Sequence, residues 1–486
     1  MTSTKSYSTI VIGAGSGGLT VAIGLAALGR PVALVEGGPI GGDCTNVGCV
    51  PSKTLIHQVN YHRYHKEPGA ILETVQTKRN NLRDRETEEV GHIENLEHII
   101  GWARFVSPKQ LEVTASDGTT QQISADNIVI ATGSRPRHID IPGLSTERTL
   151  TNESLFEQAD APHHLAIVGS GVIAMEMAFA FHKLGSQVTV LTRSPRVLSS
   201  GIPEASQAMH DALTERGIAV HYRATPQSYD DATQTLHIQS NDMPVAIENV
   251  DRVLLAVGRV RNLEKLSLEK AGVAFDAGGI KVDTYGQSNV AGIYAIGDVT
   301  PTSHFTHSAN AQGRRVVQRI AFPLLPARGA EPLYPSAIFS DPEVATVGLS
   351  PKEITERYHP SLIKRINVDL STIDRGYTDD VRHSFIQVEA VRLTGKILSV
   401  TVVSPKAGEI IPFFTLAITE GISLYRIYRL VQPYPTLTSG IQKVADIFMR
   451  ETLPNLKEEV LSYLRYRFAS PSQPADRRSV AGTQHT

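Results

Sequence analysis

Two stretches of the chain repeat the same order of apolar runs, glycines and polar positions. In the first stretch, the apolar run 9–12 leads into a glycine-rich turn, a helix-like segment and a second apolar run over 31–35. In the second stretch, the run 165–168 leads into another glycine-rich turn, a helix-like segment and a run over 187–191. A short apolar run followed by a helix and a further run predicts a parallel β-α-β unit. The chain therefore predicts two Rossmann-like nucleotide-binding units.

The rest of the chain carries different patterns. Residues 78–97 are highly charged and predict a helix, and short strands are predicted near 103–113 and 128–131. From about residue 335 onward, β-branched runs mix with amphipathic segments, which predicts a separate α+β domain. The β-branched runs are 345–347, 385–391 and 397–403, and the amphipathic segments are 410–420 and 441–451.

Length and composition narrow the class of protein. The 486 residues suggest about three domains at roughly 150 residues each, and 41% hydrophobic residues support a packed core. A formal net charge of −2 gives no basic field, so neither nucleic acid nor a membrane surface is predicted as a partner. Two cysteines in so long a chain favour a reducing, cytoplasmic setting.

The first glycine-rich turn has the spacing of a dinucleotide-binding loop. Gly13, Gly15 and Gly18 lie between a predicted strand and a predicted helix, and Glu36 follows the next strand. Glycines let backbone N–H groups approach a pyrophosphate at a helix N-terminus, and a carboxylate accepts hydrogen bonds from ribose hydroxyls. The pattern predicts an adenine dinucleotide site, with a glycine-rich turn that binds no ligand as the alternative.

The second turn predicts a different coenzyme. Gly169 and Gly171 keep the glycine spacing, Ala174 takes the third position, and Arg193 stands where the first unit has Glu36. A carboxylate repels the 2′-phosphate of NADPH, whereas an arginine attracts it, and Arg196 would add charge. We therefore expect NADPH to be preferred over NADH, with an ordinary surface arginine as the alternative.

The strongest chemical signal is the segment 41–53, which holds Cys44 and Cys49. Two cysteines five residues apart can close a small disulfide loop, and a helix that begins within this segment would lower the pKa of a thiol. A structural disulfide and half of a metal site are the alternatives. Because a metal site needs further ligands and the chain has no other cysteine, no resident metal is predicted.

The segment 41–53, following 13–18 and Glu36, resembles the flavoprotein disulfide reductases, which include glutathione reductase, dihydrolipoamide dehydrogenase and mercuric reductase. The likeness runs from about residue 8 to about residue 447 and is closest in texture to the branch that contains mercuric reductase and dihydrolipoamide dehydrogenase. Further matching motifs are Gly101-Trp102-Ala103, Ala131-Thr132-Gly133, Ala256-Val257-Gly258-Arg259 and Ala295-Ile296-Gly297-Asp298.

The resemblance implies a domain plan. An FAD-binding domain would comprise 1–163 and 290–330, interrupted by an NAD(P)H-binding domain over 164–289. A C-terminal α+β dimerisation domain over 331–470 would complete the active site of the partner chain in a homodimer. The composition of 471–486 predicts a disordered tail.

The resemblance also implies roles for individual residues. Cys49 would be the thiolate beside the flavin, and Cys44 would be the outer thiol that meets the acceptor. Lys53 would lie near flavin N5, paired with Glu176. The residues implied to hold FAD are Gly13, Gly15, Gly18, Glu36, Lys53, Ala103, Thr132, Gly133, Asp298 and Thr306. Those implied to hold the nicotinamide dinucleotide are Gly169, Gly171, Arg193 and Gly258.

One stretch near the C-terminus departs from the dithiol-handling members of this family. These members carry a histidine that acts as general base and a glutamate that orients it, whereas this chain has Tyr434 and Ser439 at those positions. Neither is a good base near neutral pH, because tyrosine titrates near ~10. Mercuric reductase also has a tyrosine there, but it adds a C-terminal cysteine pair that this chain lacks. The replacement argues against efficient turnover of lipoamide or glutathione disulfide, and the missing pair argues against full mercuric reductase activity.

The predicted function is that of an FAD-dependent oxidoreductase. Electrons would pass from NADPH, with NADH possible, through FAD to a Cys44–Cys49 disulfide and on to a disulfide or a thiophilic metal ion. One alternative is a diaphorase that reduces quinones, dyes or oxygen directly from the flavin. The others are a dihydrolipoamide dehydrogenase-like enzyme and a non-enzymatic, redox-responsive subunit.

Overall fold

The computed structural model describes residues 4–61, 66–301, 305–324 and 333–468. The described residues form two compact units, one within 4–195 and 218–334 and one within 196–217 and 335–468. The predicted tail 471–486 lies outside the described residues. The predicted domain boundaries stay predictions.

The strands are β1 (Lys5–Ile12), β2 (Val32–Glu36), β3 (Leu96–Ile100), β4 (Trp102–Ser107), β5 (Gln110–Thr114), β6 (Thr120–Ile130), β7 (Ser134–Pro136), β8 (Thr149–Leu150), β9 (His164–Val168), β10 (Gln187–Thr192), β11 (Ala219–Tyr222), β12 (Ala224–Asp230), β13 (Thr235–Ser240), β14 (Met243–Ile247), β15 (Arg252–Leu255), β16 (Arg259–Arg261), β17 (Phe275–Asp276), β18 (Gly279–Ile280), β19 (Ile293–Ala295), β20 (Ser336–Ile338), β21 (Glu343–Gly348), β22 (Ile363–Asp369), β23 (Phe385–Val391) and β24 (Ile397–Ser404). The helices are α1 (Ser16–Ala26), α2 (Gly42–Asn46), α3 (Cys49–Tyr61), α4 (Pro68–Gly91), α5 (Val172–Leu184), α6 (Pro203–Glu215), α7 (Thr306–Ala321), α8 (Pro351–Arg357), α9 (Asp374–Thr378), α10 (Ala407–Thr419), α11 (Leu424–Ile427), α12 (Ser439–Thr452) and α13 (Leu456–Tyr466).

The first predicted nucleotide-binding unit is present. Strands β3, β2, β1 and β6 lie side by side in parallel, β19 pairs with β6, and β5 and β4 extend the sheet in antiparallel fashion. Ile10 and Val11 of β1 are fully buried, because a central parallel strand is covered on both faces. Helix α1 connects β1 to β2, so the glycine-rich turn lies at the carboxyl end of the central strand.

The second unit repeats this plan. Strands β11, β10, β9, β15 and β8 form an entirely parallel sheet, and α5 connects β9 to β10. Together with the first unit, this sheet confirms the prediction of two Rossmann-like units. Both glycine-rich turns therefore stand at the carboxyl edge of a parallel sheet, where such folds bind nucleotides.

The helix predicted over 78–97 is shifted in the structure. Helix α4 spans Pro68–Gly91, and the last predicted helical residues instead form β3, which pairs with β2. The helix begins ten residues earlier than predicted because Ile71, Leu72 and Val75 bury one side of its first turns. The prediction relied on charged residues, which mark the exposed part of the helix, and it therefore missed the buried first turns.

The second compact unit contains the predicted α+β region. Strands β20, β21, β24, β23 and β22 form an antiparallel sheet, accompanied by α10 and α12. The β-branched run 385–391 matches β23 residue for residue. None of the described helices combines the length and the apolar character needed to span a bilayer.

Candidate active site

The first glycine-rich turn leaves open space at one glycine and close packing at the other two. Gly13 has φ +104°, and a Cβ there would lie 2.3 Å from the carbonyl oxygen of Ala131. A Cβ on Gly18 would lie 1.9 Å from the carbonyl oxygen of Gly13. A Cβ on Gly15 would meet nothing within 4 Å, and Gly15 directly precedes α1. The turn therefore offers an open approach to a helix N-terminus, which fits a pyrophosphate.

Glu36 ends β2 with its carboxylate directed at the neighbouring backbone. Its two oxygens accept hydrogen bonds from the N–H groups of Ala14 and Gly38, both at 2.7 Å. Each carboxylate oxygen can accept a further bond, so the group remains able to hold ribose hydroxyls. Ala103 is buried in β4 nearby in the same sheet, and the exposed indole of Trp102 packs over Gly37. These residues fit the adenosine half of FAD.

The other residues implied to hold FAD lie in the same unit. Thr132 donates from Oγ1 to the carbonyl of Asn262 at 2.8 Å, and Gly133 follows it. Asp298 accepts a hydrogen bond from Ser134 Oγ and lies 3.7 Å from Arg259 Nε. Their binding roles stay predictions.

The two cysteines lie at the junction of two short helical segments. Cys44 belongs to α2, and Cys49 is the first residue of α3. Both are free thiols in this structure, and Cys49 Sγ lies 3.6 Å from Oγ1 of Thr306, the first residue of α7. Two helices thus begin within the cysteine segment, which is the condition under which a helix N-terminus lowers the pKa of a thiol.

The surroundings of Cys44 and Cys49 shift the pKa values of the two thiols in opposite directions. The pKa of Cys49 is lowered to about 6, chiefly by a hydrogen bond from Cys44 and then by the charge of Lys53 and a hydrogen bond to Thr306, against the effect of burial. The pKa of Cys44 is raised, chiefly by its hydrogen bond to Cys49 and then by burial. Cys49 is therefore a thiolate near neutral pH while Cys44 keeps its proton.

Lys53 and Glu176 form the ion pair that the resemblance implies. Lys53 Nζ lies 2.9 and 2.8 Å from the two carboxylate oxygens of Glu176. Glu176 is buried in α5, the helix that connects β9 to β10 in the second nucleotide-binding unit. Helix α5 packs against the cysteine-bearing helix α3. The pair holds the Lys53 ammonium near Cys49, whose thiolate it stabilises.

Each cysteine faces a different cavity. Cys44 opens into a cavity of about 580 Å³, which also has Ser16, Glu86, Thr306 and Arg314 among its walls. Cys49 opens into one of about 540 Å³, whose walls are Cys49, Val50, Lys53, Thr54, His57 and Lys78. The two faces of the cysteine pair are thus separately accessible.

Three residues for which the sequence predicted no role hold the cysteine segment in place. Arg259 donates to the carboxylate of Asp43, next to Cys44, and to Asn152 Oδ1 at 3.5 Å. Asn152 Nδ2 donates to the carbonyl of Val47 at 3.3 Å. Burial raises the pKa of Asp43, and the Arg259 charge opposes that rise. Asp43 and Arg259 both lie in motifs that the sequence displays, but nothing local shows that they meet.

The second glycine-rich turn matches the first in its packing. Gly169 has φ +132°, a Cβ there would lie 2.2 Å from the carbonyl oxygen of Ala256, and Gly171 again faces open space. Arg193 is exposed just after β10. Arg196 donates to Ser206 Oγ and to the carbonyls of Ser199 and Gly201, and its contribution of charge to coenzyme binding stays a prediction. This turn fits the pyrophosphate of a second dinucleotide. Gly258 has φ +108° and precedes β16.

Tyr434 and Ser439 lie in the second compact unit. The Tyr434 hydroxyl donates to Asp374, which raises the pKa of this exposed tyrosine. Ser439 Oγ donates to the carbonyl of Thr436 at 2.7 Å. Neither side chain has the chemistry of a general base at neutral pH.

Comparison with known proteins adds independent findings. Residues 7–313 match the family model described as pyridine nucleotide-disulphide oxidoreductase, and 334–445 match that family's dimerisation domain. A mercuric reductase of Bacillus cereus is 33% identical over 463 residues, covering 92% of this chain and 72% of its own. A dihydrolipoyl dehydrogenase of Chlamydia pneumoniae is 33% identical over 460 residues, covering 90% and 95%.

A solved structure shares the fold. The Cu(II) complex of RclA, an HOCl-induced flavoprotein disulfide reductase of Escherichia coli, superposes with a TM-score of 0.82 at 24% identity. It covers 91% of this chain and 99% of its own. At this identity the likeness bears on the fold alone.

Proposed function

Because this chain belongs to the pyridine nucleotide-disulphide oxidoreductase family of FAD-dependent enzymes, we propose that it reduces a disulfide or a thiophilic metal ion with NADPH as electron donor. The acceptor would react at Cys44, and the Cys44–Cys49 pair would cycle between dithiol and disulfide. The match to the dimerisation domain supports a homodimer. We place the enzyme in the cytoplasm, since its thiols need reducing surroundings.

The observation that carries this proposal is the difference between the two thiols. Cys49 is held as a thiolate by Cys44, Lys53 and Thr306, whereas Cys44 keeps its proton and faces its own cavity. A structural disulfide or an inert buried thiol would need no such arrangement. A low-pKa thiol with a protonated neighbour is the arrangement that thiol–disulfide exchange requires.

The residues around the cysteine pair would divide the work between them. When bound, FAD supplies a two-electron carrier between the pyridine nucleotide and the cysteine pair. Lys53 stabilises negative charge beside Cys49, and Glu176 holds the Lys53 ammonium in place. Closing the dithiol to a disulfide releases two electrons and two protons, one of which Cys49 has already given up as a thiolate. A disulfide acceptor takes up two electrons and two protons and leaves as two thiols.

Tyr434 favours a metal ion over a large disulfide as acceptor. Its raised pKa keeps it protonated, so it cannot act as the base that takes the proton from a thiol attacking a disulfide acceptor. A thiophilic metal ion needs no such base, since it binds directly to sulfur. The mercuric reductases among the relatives are consistent with this choice. A diaphorase is the second candidate, favoured by the same lack of a base.

An acceptor screen with a cysteine variant tests the proposal. Wild type and Cys44→Ser are compared for NADPH oxidation with Hg(II), Cu(II), glutathione disulfide, lipoamide and a quinone. We expect Cys44→Ser to lose metal and disulfide turnover while FAD content and quinone reduction stay. Thr355→Ala, which changes an exposed residue of α8 in the second compact unit, serves as control. Full metal and disulfide turnover in Cys44→Ser would establish the diaphorase instead.

A further inference from the structure

The carboxyl ends of β10 and β11 bring two arginines together. The strands are parallel neighbours, with Thr192 opposite Tyr222 in the ladder, so the next residues, Arg193 and Arg223, leave the sheet side by side. The Arg223 N–H also donates to the carbonyl of Ser194 at 3.3 Å. The two arginines are 30 positions apart in sequence, and only the ladder makes them neighbours.

The backbone around both arginines is fixed. Thr192 Oγ1 is hydrogen-bonded to Ser170 Oγ at 2.7 Å and accepts from the Ser194 N–H at 3.2 Å, which ties the end of β10 to the glycine-rich turn. Arg223 has φ +46°, a left-handed conformation that residues other than glycine and asparagine seldom adopt. Strained residues of this kind cluster where the chain binds a ligand.

Neither guanidinium is neutralised by the described part of the chain. Arg193 and Arg223 are both exposed, and no hydrogen bond or ion pair links either side chain to a described residue. Asp242, in the turn that faces Arg223 across the ladder of β12 and β13, makes no ion pair among these residues. Arg148 and Arg259, in contrast, are both paired with carboxylates.

We infer that Arg223 joins Arg193 in binding the ribose 2′-phosphate of NADPH, and that Arg223 is therefore a specificity-determining residue. This inference rests on the proposed use of NADPH. A phosphate monoester carries about two negative charges at neutral pH, and a guanidinium binds it through two parallel hydrogen bonds. In the first unit, the matching ladder position places Glu36 opposite Ile100, so no cation stands there. The second unit has cations at both strand ends.

Replacing Arg223 by asparagine tests the inference. Asparagine tolerates the left-handed conformation and removes the guanidinium, so the fold is kept. We expect Arg223→Asn to raise the KM for NADPH about tenfold with little change for NADH. Calorimetry should show a matching loss of 2′,5′-ADP binding, with 5′-AMP binding unchanged. Arg357→Gln removes one exposed arginine from α8 in the second compact unit. It should change neither the KM for NADPH nor the binding of 2′,5′-ADP.

The outcomes separate this inference from the proposed coenzyme. If Arg193→Gln weakens 2′,5′-ADP binding and Arg223→Asn does not, the inference is overturned and the NADPH preference stands. If wild type binds 2′,5′-ADP no better than 5′-AMP, the NADPH preference itself fails. Arg223→Lys keeps the positive charge but loses the planar guanidinium that donates two parallel hydrogen bonds. A loss of 2′,5′-ADP binding between those of wild type and Arg223→Asn would support bidentate contact.

Discussion

The two nucleotide-binding units share one backbone plan and differ where each would touch its ligand. Both pack their first glycine against a neighbouring carbonyl, Gly13 against Ala131 and Gly169 against Ala256, and both leave the next glycine open. At the end of the second strand, however, the first unit has the carboxylate of Glu36, whereas the second unit has Arg193 there and Arg223 at the end of the neighbouring strand β11. The shared features fit a dinucleotide, and we propose that the charges at the strand ends select which dinucleotide binds.

The units differ again in the segment that comes after the second strand. After β2 the chain continues directly into the segment that bears Cys44 and Cys49, whereas after β10 it continues towards α6. The first unit therefore carries both the glycine-rich loop that we propose binds FAD and the cysteine pair. The second is joined to that pair through the contact of Glu176 with Lys53.

The largest effect is expected at the third position of the glycine-rich turns. Gly18→Ala would place a methyl 1.9 Å from the Gly13 carbonyl oxygen, which should destabilise the fold by about 3 kcal/mol and remove FAD. Ala174→Gly in the second unit should cost about 1 kcal/mol, the helix propensity difference. Chemical denaturation and the FAD-to-protein ratio measure both. Equal effects would mean that the turns are packed alike at this position.

The next effect converts one unit towards the other. Arg193→Glu gives the second unit the carboxylate of the first, which repels a 2′-phosphate and accepts from a ribose. The ratio of kcat/KM for NADPH to that for NADH should fall about a hundredfold. Steady-state kinetics with both coenzymes measure the ratio, with Arg357→Gln as control. An unchanged ratio would show that the position of Arg193 does not select the coenzyme.

A smaller effect concerns the cysteine segment that the second unit lacks. In reduced wild type, alkylation of Cys49 should be half-maximal near pH 6, because its pKa is lowered to about 6. Lys53→Met removes a positive charge that stabilises the thiolate, so the pKa should rise and alkylation at pH 7 should slow. Peptide mass spectrometry after iodoacetamide treatment measures this. Lys78→Met, in the same cavity, is the matched control, and an equal shift there would contradict the assignment to Lys53.

The smallest effect is expected where Asn152 ties down the loop between the cysteines. Asn152→Ala removes the bond to the Val47 carbonyl and should cost about 1 kcal/mol. Hydrogen exchange should increase at residues 47–49 and little elsewhere. Asn80→Ala removes a contact with Arg79 on α4 instead, and increased exchange at 47–49 in that variant would count against a local role for Asn152.

The strands, both glycine-rich turns and the cysteine segment were predictable because each depends on local properties of the chain. Apolar periodicity marks β1 and β9, and the close approach at Gly13 and Gly18 admits no side chain. The predicted ends of α4 were wrong, because its buried face depends on the helix and sheet against which it packs. Local pattern thus located the elements and the redox pair.

Contacts between residues distant in sequence were decided by the tertiary structure alone. Thr306 reaches Cys49 across 257 positions and helps to lower the pKa of its thiol. Glu176 reaches Lys53 across 123 positions, and its own charge acts to raise the pKa of Cys49. The ladder of β10 and β11 sets Arg223 beside Arg193. The sequence determined which chemical groups the chain carries and where the turns fall. Sheet pairing and helix packing decided which groups meet, because electrostatic and hydrogen-bonding effects depend on distance in space.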